Sequence, residues 1–151
     1  MSSKKSNANV VGALQLVLAD TYVLMVKTHS CHWNVEGEQF VALHDIFGTQ
    51  YNELFTAADE LAERLRSLGT YAPAGMAALL KESSIKDNPE KPQTWQKMVA
   101  DLIKAHETIS DRIVACREVA DAAEDDVTED LMIGRHAVHS KTLWMLKSLL
   151  K

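Results

Sequence analysis

The chain is poor in the residues that interrupt or crosslink a fold. Its 151 residues include only 6 glycines, 3 prolines and 2 cysteines. So few turn-forming residues argue against a β-sandwich, a collagen-like chain or a disordered chain. The cysteines, Cys31 and Cys116, are far apart and form no disulfide framework, so we interpret them as reduced thiols of a cytosolic protein.

Long apolar runs and an excess of positive charge are also missing. No apolar stretch approaches the ~20 residues that a membrane span needs, and residues 1–9 lack the apolar segment of a signal peptide. The net charge is −5, which argues against a body that binds nucleic acid as a whole. We therefore expect a cytoplasmic protein without a membrane partner. Its 46% hydrophobic residues suffice for the core of one domain.

The apolar residues that are present recur with helical spacing. This pattern predicts long helices over residues 10–35, 39–68, 94–121 and 126–150, with Gly69 ending the second. Asp126 and Glu129 have the spacing of a capping box at the start of the last helix. All three prolines fall within residues 73–92, where residues 76–81 are a candidate short helix.

The predicted order of helices indicates an all-α fold. The connection from the second to the third long helix is roughly 25 residues, far above the usual loop length. One long crossover, here carrying the short helix, is typical of a ferritin-like four-helix bundle. We assign the bundle to residues 10–151 and a flexible tail to residues 1–9. The first helix is apolar on more than one face, which favours a subunit interface, although a deeply buried helix has the same pattern.

Four side chains are candidates for a metal site. Ferritin-like bundles that bind two metals within one chain carry Glu-x-x-His motifs, and no glutamate here has histidine three residues later. His32 and His44 flank the short turn between the first two helices, so their imidazoles can meet. Asp59 and Glu63 lie four residues apart, so they share a helix face.

Two carboxylates so close repel each other unless a cation lies between them. The alternative interpretation is a pair of solvated surface acids, with Arg64 and Arg66 available to neutralise them. His44 and Asp59 are separated by about 22 Å along one helix, so one chain cannot bring both to one ion. Two copies of this helix, antiparallel across a two-fold axis, would form two identical sites. Two imidazoles and two carboxylates suit iron, zinc or manganese.

The chain resembles the Dps family, the DNA-binding proteins from starved cells, which are also called mini-ferritins. The resemblance covers nearly the whole chain after the tail, and several motifs at matching spacing make it a strong signal. These motifs are His32-Trp33-Asn34-Val35-Glu36-Gly37, Phe40, Leu43-His44, Phe47, Asp59-Glu60-Leu61-Ala62-Glu63-Arg64, Leu68-Gly69, Ser83-Ser84-Ile85 and Trp144-Met145-Leu146.

The resemblance implies a hollow shell of twelve identical subunits that oxidises Fe²⁺ with hydrogen peroxide or O₂. The ferric product is stored as a mineral, which protects DNA from oxidative damage. His32 and His44 would come from one subunit, and Asp59 and Glu63 from its partner. Trp33 would lie beside the iron and donate an electron. Zinc or manganese could take the place of iron.

The resemblance also assigns roles at two other places. Asp121, Asp126 and Asp130 would line a three-fold pore that admits Fe²⁺, although acids there also complement a helix N-terminus. Lys4 and Lys5 would contact DNA from the N-terminal tail, and the protein would then be associated with the nucleoid. Two rival functions stay open, namely a DNA-compacting protein with secondary iron oxidation and a shell with structural zinc.

The remaining histidines, tryptophans and the first cysteine are expected to have structural roles. We assign His29, His106, His136 and His139 to the core or the surface. Trp95 and Trp144 are expected to pack in the core, and Cys31 to be a buried thiol.

Overall fold

The computed structural model of the protein describes the backbone of residues 2–151 and the side chains from residue 7 onward. All regular structure in this part of the chain is helical, which confirms the predicted all-α fold. The elements are α1 (Ser2–Asn34), α2 (Phe40–Ser67), α3 (Met76–Glu82), α4 (Trp95–Ala122) and α5 (Asp126–Leu149).

The N-terminal segment differs from the sequence-based expectation in one respect. Helix α1 begins at Ser2, so its helical backbone includes the segment that we assigned to a tail. A separate tail over residues 1–9 stays a prediction. The side chains of Lys4 and Lys5 lie outside the described residues.

Helix α1 is the central element of the bundle. It packs against α2, α3 and α4, and α4 packs against α5. The inward faces of the helices meet in one continuous core, whose largest fully buried side chains include Leu14, Leu24, Phe47, Leu61, Leu102, Ile109, Ile113 and Met132. The face of α4 that turns inward carries Met98, Val99, Leu102, Ile109 and Ile113.

Most of the excess apolar surface of α1 is buried within the chain. Val17, Leu18, Val23 and Met25 are each at most 7% exposed, so a deeply buried helix explains the pattern better than the subunit interface that we favoured. By length and composition, Asn7–Asn34 is apolar enough to cross a membrane, so our expectation of no such stretch was wrong. Burial in the bundle core accounts for this apolar character.

The long crossover is fixed to α1 by a buried carboxylate. Asp20 is fully buried and accepts hydrogen bonds from the Ser83 hydroxyl at 2.7 Å and the Ser84 amide at 2.7 Å. The Ser84 hydroxyl donates at 2.9 Å, and Arg112 forms an ion pair with the same carboxylate at 3.3 Å. A buried charge with this many donors is compensated locally. The crossover is therefore held against the bundle.

The end of α2 follows the predicted pattern. Gly69 has a φ of +84°, the left-handed conformation that favours glycine after a helix. The Thr70 amide then donates to the Leu65 carbonyl at 3.1 Å, which satisfies one of the last helical carbonyls. The predicted C-terminal cap is thus confirmed, and α2 ends where the crossover begins.

Candidate metal centre

His32 and His44 form a reciprocal pair across the turn that joins α1 and α2. The Nδ1 of His32 lies 2.7 Å from the His44 carbonyl oxygen, and the Nδ1 of His44 lies 2.9 Å from the His32 carbonyl oxygen. The two rings stack, with centroids 3.8 Å apart and planes 20° from parallel. The prediction that these imidazoles meet is therefore confirmed.

The two hydrogen bonds determine which ring nitrogens remain available. A carbonyl oxygen can only accept, so each Nδ1 must carry the proton and donate it. In its neutral form, an imidazole bonded in this way keeps a bare lone pair on Nε2. Histidines that ligate metals commonly have their second ring nitrogen fixed by such a bond to a backbone carbonyl. The pair is thus oriented for metal binding through both Nε2 atoms.

Other aromatic rings surround the histidine pair. Phe40 stacks on His44 at a centroid distance of 5.2 Å, and Tyr51 lies 5.3 Å from His32. The His29 ring lies 4.0 Å from both Tyr51 and Trp33, and so connects them. Trp33 itself is 65% exposed. Rings in contact therefore extend from the candidate ligands to the molecular surface.

Gly48 provides the room that the His32 ring occupies. A Cβ atom at this position would lie 3.2 Å from Cε1 and 3.3 Å from Nδ1 of His32. These distances are shorter than ordinary carbon contacts, so any larger side chain must displace the ring. The absence of a side chain at Gly48 is therefore part of the site.

The two carboxylates lie farther along α2. Asp59 and Glu63 are both exposed, and within the described residues neither forms an ion pair. Arg64 instead pairs with Asp125 at 2.6 Å, and Arg66 stacks over the Tyr71 ring at 4.3 Å. The sequence left open whether these arginines neutralise the acids. In the structure both arginines are engaged elsewhere, so they do not neutralise Asp59 and Glu63.

Within the described residues, a single chain does not bring together a complete metal site. Among the described residues, no group of three or more His, Cys, Asp or Glu side chains is arranged to hold a metal ion. The surface around the candidate ligands is also apolar, because Val41, Phe55 and Phe40 are 79%, 59% and 42% exposed. Exposed apolar side chains of this size are typical of a surface that another protein chain covers.

The candidate pore residues lie at the connection between α4 and α5, where Asp121, Asp126 and Asp130 are all exposed. The cap of α5 is Asp125, not the predicted Asp126. Its carboxylate accepts the Thr128 amide at 3.0 Å. Burial alone would raise the pKa of Asp125, but hydrogen bonds from Thr128 and the charge of Arg64 outweigh burial and lower it. Asp126 is thereby left free of the capping role.

Several other sequence expectations have clear outcomes. Trp144 is 67% exposed, so its assignment to the core was wrong, whereas Trp95 packs against the core. Cys31 is buried, and burial raises the pKa of its thiol to about 11, which makes it unreactive. His106 and His139 are buried, but sequence reasoning missed that they contact each other at 2.8 Å.

Known proteins resemble the chain over nearly its full length. The family described as ferritin-like domain matches residues 11–151. DNA protection during starvation protein 2 of Bacillus anthracis is 35% identical over 144 residues, which are 95% of this chain and 98% of that protein. The crystal structure of a Dps protein from Bacillus brevis has a TM-score of 0.93 at 34% identity, covering 97% of this chain and 98% of that one.

A Dps structure from Vibrio cholerae O1 is described as a member of a broad superfamily of ferritin-like diiron-carboxylate proteins. It has a TM-score of 0.93 at 27% identity, covering 97% of this chain and 92% of that chain. The bundle, its crossover and these similarities define a ferritin-like protein. Within that class, the chain belongs to the Dps family.

The first prediction concerns the space beside His32. Gly48→Ala should weaken metal binding at the histidine pair by about tenfold, the usual effect of disturbing a ligand's orientation. Fe²⁺ affinity measured anaerobically by calorimetry tests this. Gly134→Ala is the matched control, since a Cβ there meets nothing within 4 Å. Equal Fe²⁺ affinity in the two variants would contradict the role of Gly48.

Proposed function

We propose that the protein is a ferroxidase subunit that oxidises Fe²⁺ at sites shared by two subunits and stores the ferric product inside a shell. The observation that carries this proposal is the reciprocal bonding of His32 and His44, which leaves both Nε2 lone pairs available. Neutral imidazoles and carboxylates are ligands that suit iron. Iron is the substrate here, and zinc or manganese would compete for the same ligands.

The position of the acids supports a site made from two chains. Asp59 is 15 residues beyond His44 on α2, a rise of about 22 Å. A two-fold axis that pairs α2 with a second copy of itself brings the acids of each subunit to the histidines of the other. The exposed Val41 and Phe55 on the same helix would become buried in that contact. A homo-oligomer, in our proposal a dodecamer, follows from repeating this contact.

The ligand set leaves iron open to an oxidant. Two ferrous ions would each give one electron to hydrogen peroxide, and water would supply the rest of the oxygen in ferric oxyhydroxide, with release of four protons. O₂ can serve as a slower alternative oxidant. When only one ferrous ion is bound, Trp33 would supply the second electron that hydrogen peroxide accepts, because His29 and Tyr51 connect its ring to His32. Consuming iron and peroxide together would protect DNA.

Iron must reach the interior of such a shell. Asp121, Asp126 and Asp130 are exposed at one end of the bundle, and Asp125 rather than Asp126 caps the adjoining helix. Three copies of these acids around one axis would attract Fe²⁺ electrostatically. We therefore include this pore in the proposal.

We also propose that the protein acts in the cytoplasm, where Fe²⁺ and DNA are both present.

The second prediction tests the shared site by mixing inactive subunits. His44→Ala and Asp59→Ala should each slow peroxide-driven Fe²⁺ oxidation by about 100-fold while assembly is retained. In a random equal mixture, half of the two-fold contacts are hybrid, and each hybrid has one complete site of two. The mixture should therefore regain about a quarter of the original rate, measured by ferric absorbance after confirmed subunit exchange.

The control for this mixture uses two variants on the same side of the site. A mixture of His32→Ala and His44→Ala subunits should stay inactive, because every hybrid site still lacks one histidine. Equal recovery in both mixtures, or recovery in neither, would contradict a site that takes its histidines and acids from different subunits. Iron turnover in the unmutated protein also separates this function from a shell with structural zinc.

DNA binding is a second candidate function. It is supported by the name of the Bacillus anthracis relative, a DNA protection during starvation protein. Lys4 and Lys5 are candidate contacts, since the first acidic residue of the chain is Asp20. The body of net charge −5 repels DNA, but many tails on one shell would bind together.

The third prediction concerns the strength of this DNA binding. Gel shifts of the intact protein should show sequence-independent binding at ~50 mM salt that is lost by ~200 mM. Lys4→Ala/Lys5→Ala should abolish it, whereas Lys86→Ala/Lys91→Ala, with the same loss of charge in the crossover, should not. Binding that persists in the first variant at the higher salt would show that the tail is not the contact.

A further inference from the structure

Four polar side chains form a connected series that runs from the partly exposed Glu53 into the interior of the bundle, away from the histidine pair of the metal centre. Arg135 is 5% exposed and donates through its two Nη atoms to both carboxylate oxygens of Glu53. The same Nη2 lies 3.1 Å from Nε2 of His139, which is fully buried. His139 in turn contacts His106, with the two Nδ1 atoms 2.8 Å apart.

The guanidinium determines the proton positions along this series of side chains. Arginine can only donate, so Nε2 of His139 must be a bare lone pair that faces Arg135. The proton of neutral His139 then lies on Nδ1 and is donated to Nδ1 of His106. Burial and the Arg135 charge lower the pKa of His106 to about 4, and burial is also the largest cause of the lowered pKa of His139. Both rings are therefore neutral at pH 7.

The groups that surround the guanidinium, a carboxylate and a histidine nitrogen, are of the kind that commonly bind a metal ion. A metal-bound histidine points one bare nitrogen at the cation and donates its other N–H to a fixed acceptor, as His139 does here. Glu53 presents both oxygens to the same cation. In ferritin-like proteins that bind metal within one chain, inward-facing carboxylates and histidines hold the ions. Here Arg135 supplies the positive charge instead.

A cleft of about 470 Å³ between α2, α4 and α5 opens beside these four side chains. It is lined by Gln50, Glu53 and His106, among others. Both polar atoms of the Gln50 amide and Nε2 of His106 are buried without a hydrogen-bond partner in the described part of the chain. The cleft therefore offers an entry path, and Gln50 offers a further oxygen ligand one helical turn before Glu53.

We propose that Arg135 occupies an intrachain cation site and thereby excludes divalent transition-metal ions from the bundle interior. Without the guanidinium, Glu53 and His139 would bind an ion such as Co²⁺, Zn²⁺ or Fe²⁺, with Gln50 as the nearby third ligand. The proposal rests on the proposed function in one respect, because it makes Arg135 the residue that confines metal binding to the contact between subunits.

The fourth prediction is tested in a background that lacks the intersubunit histidines, His32→Ala/His44→Ala. Adding Arg135→Ala to this background should create one Co²⁺ site per chain, at least ~10-fold tighter than any site in the background. Calorimetry gives the stoichiometry and affinity, and Co²⁺ absorption in the visible range reports nitrogen and oxygen ligation. No iron turnover is needed for either measurement.

Two further variants identify the ligands. Arg135→Lys keeps a cation at the site and should gain no Co²⁺ binding. Adding His139→Leu to the Arg135→Ala chain should remove the new site, since it deletes the nitrogen ligand. Co²⁺ binding that persists after His139→Leu, or that is equal in the Lys and Ala variants, would overturn the proposal.

The same experiment distinguishes a loss of folding from a lack of metal binding. It also distinguishes a failure of this proposal from a failure of the proposed function. If the Arg135→Ala chain is unfolded without metal, Co²⁺ should restore its helicity in far-ultraviolet circular dichroism, because binding then drives folding. If Co²⁺ neither binds to this variant nor restores its helicity, the proposal is overturned. Strong Co²⁺ binding in the His32→Ala/His44→Ala background itself would count against the intersubunit site. The change in Co²⁺ affinity on removing Arg135 would still decide the role of Arg135.

Discussion

Two hydrogen bonds across the α1–α2 turn, one from each histidine to the other's carbonyl, set the direction of both imidazoles. Because each Nδ1 is used in this way, only the Nε2 atoms can bind a metal. The arrangement depends on the short turn, on the stacked rings and on the missing side chain at Gly48. Since the acids lie at the other half of α2, a second chain would complete the site in the proposed arrangement.

The interior and the surface of the bundle differ in how their charges are satisfied. Inside, Asp20 is bonded to the crossover and to Arg112, and the buried Arg135 is bonded to the partly exposed Glu53. On the surface of α2, Asp59 and Glu63 have no ion pair within the described residues. The unused ligands therefore lie on the exposed face, next to apolar side chains that a partner would cover. In the proposed function, metal chemistry would therefore take place at this surface of the chain.

The elements and the histidine pair were predictable because they depend on local spacing. A turn of a few residues forces His32 toward His44, and uninterrupted apolar periodicity predicts the helices. The cap at Asp125 was missed because Asp126 next to it fits the same pattern. The Arg135–Glu53 contact joins residues 82 positions apart, so its formation depends on how α2 and α5 pack. No periodicity in either helix indicates that contact.

The measurement that most directly tests the shared site is anomalous diffraction at the iron edge, from crystals loaded anaerobically with Fe²⁺. Iron should lie within ligand distance, about 2 Å, of Nε2 of His32 and His44 in one subunit. The neighbouring subunit should contribute Asp59 and Glu63. Iron coordinated only by residues of a single chain, or by Nδ1 of either histidine after rotation of its ring, would contradict the account.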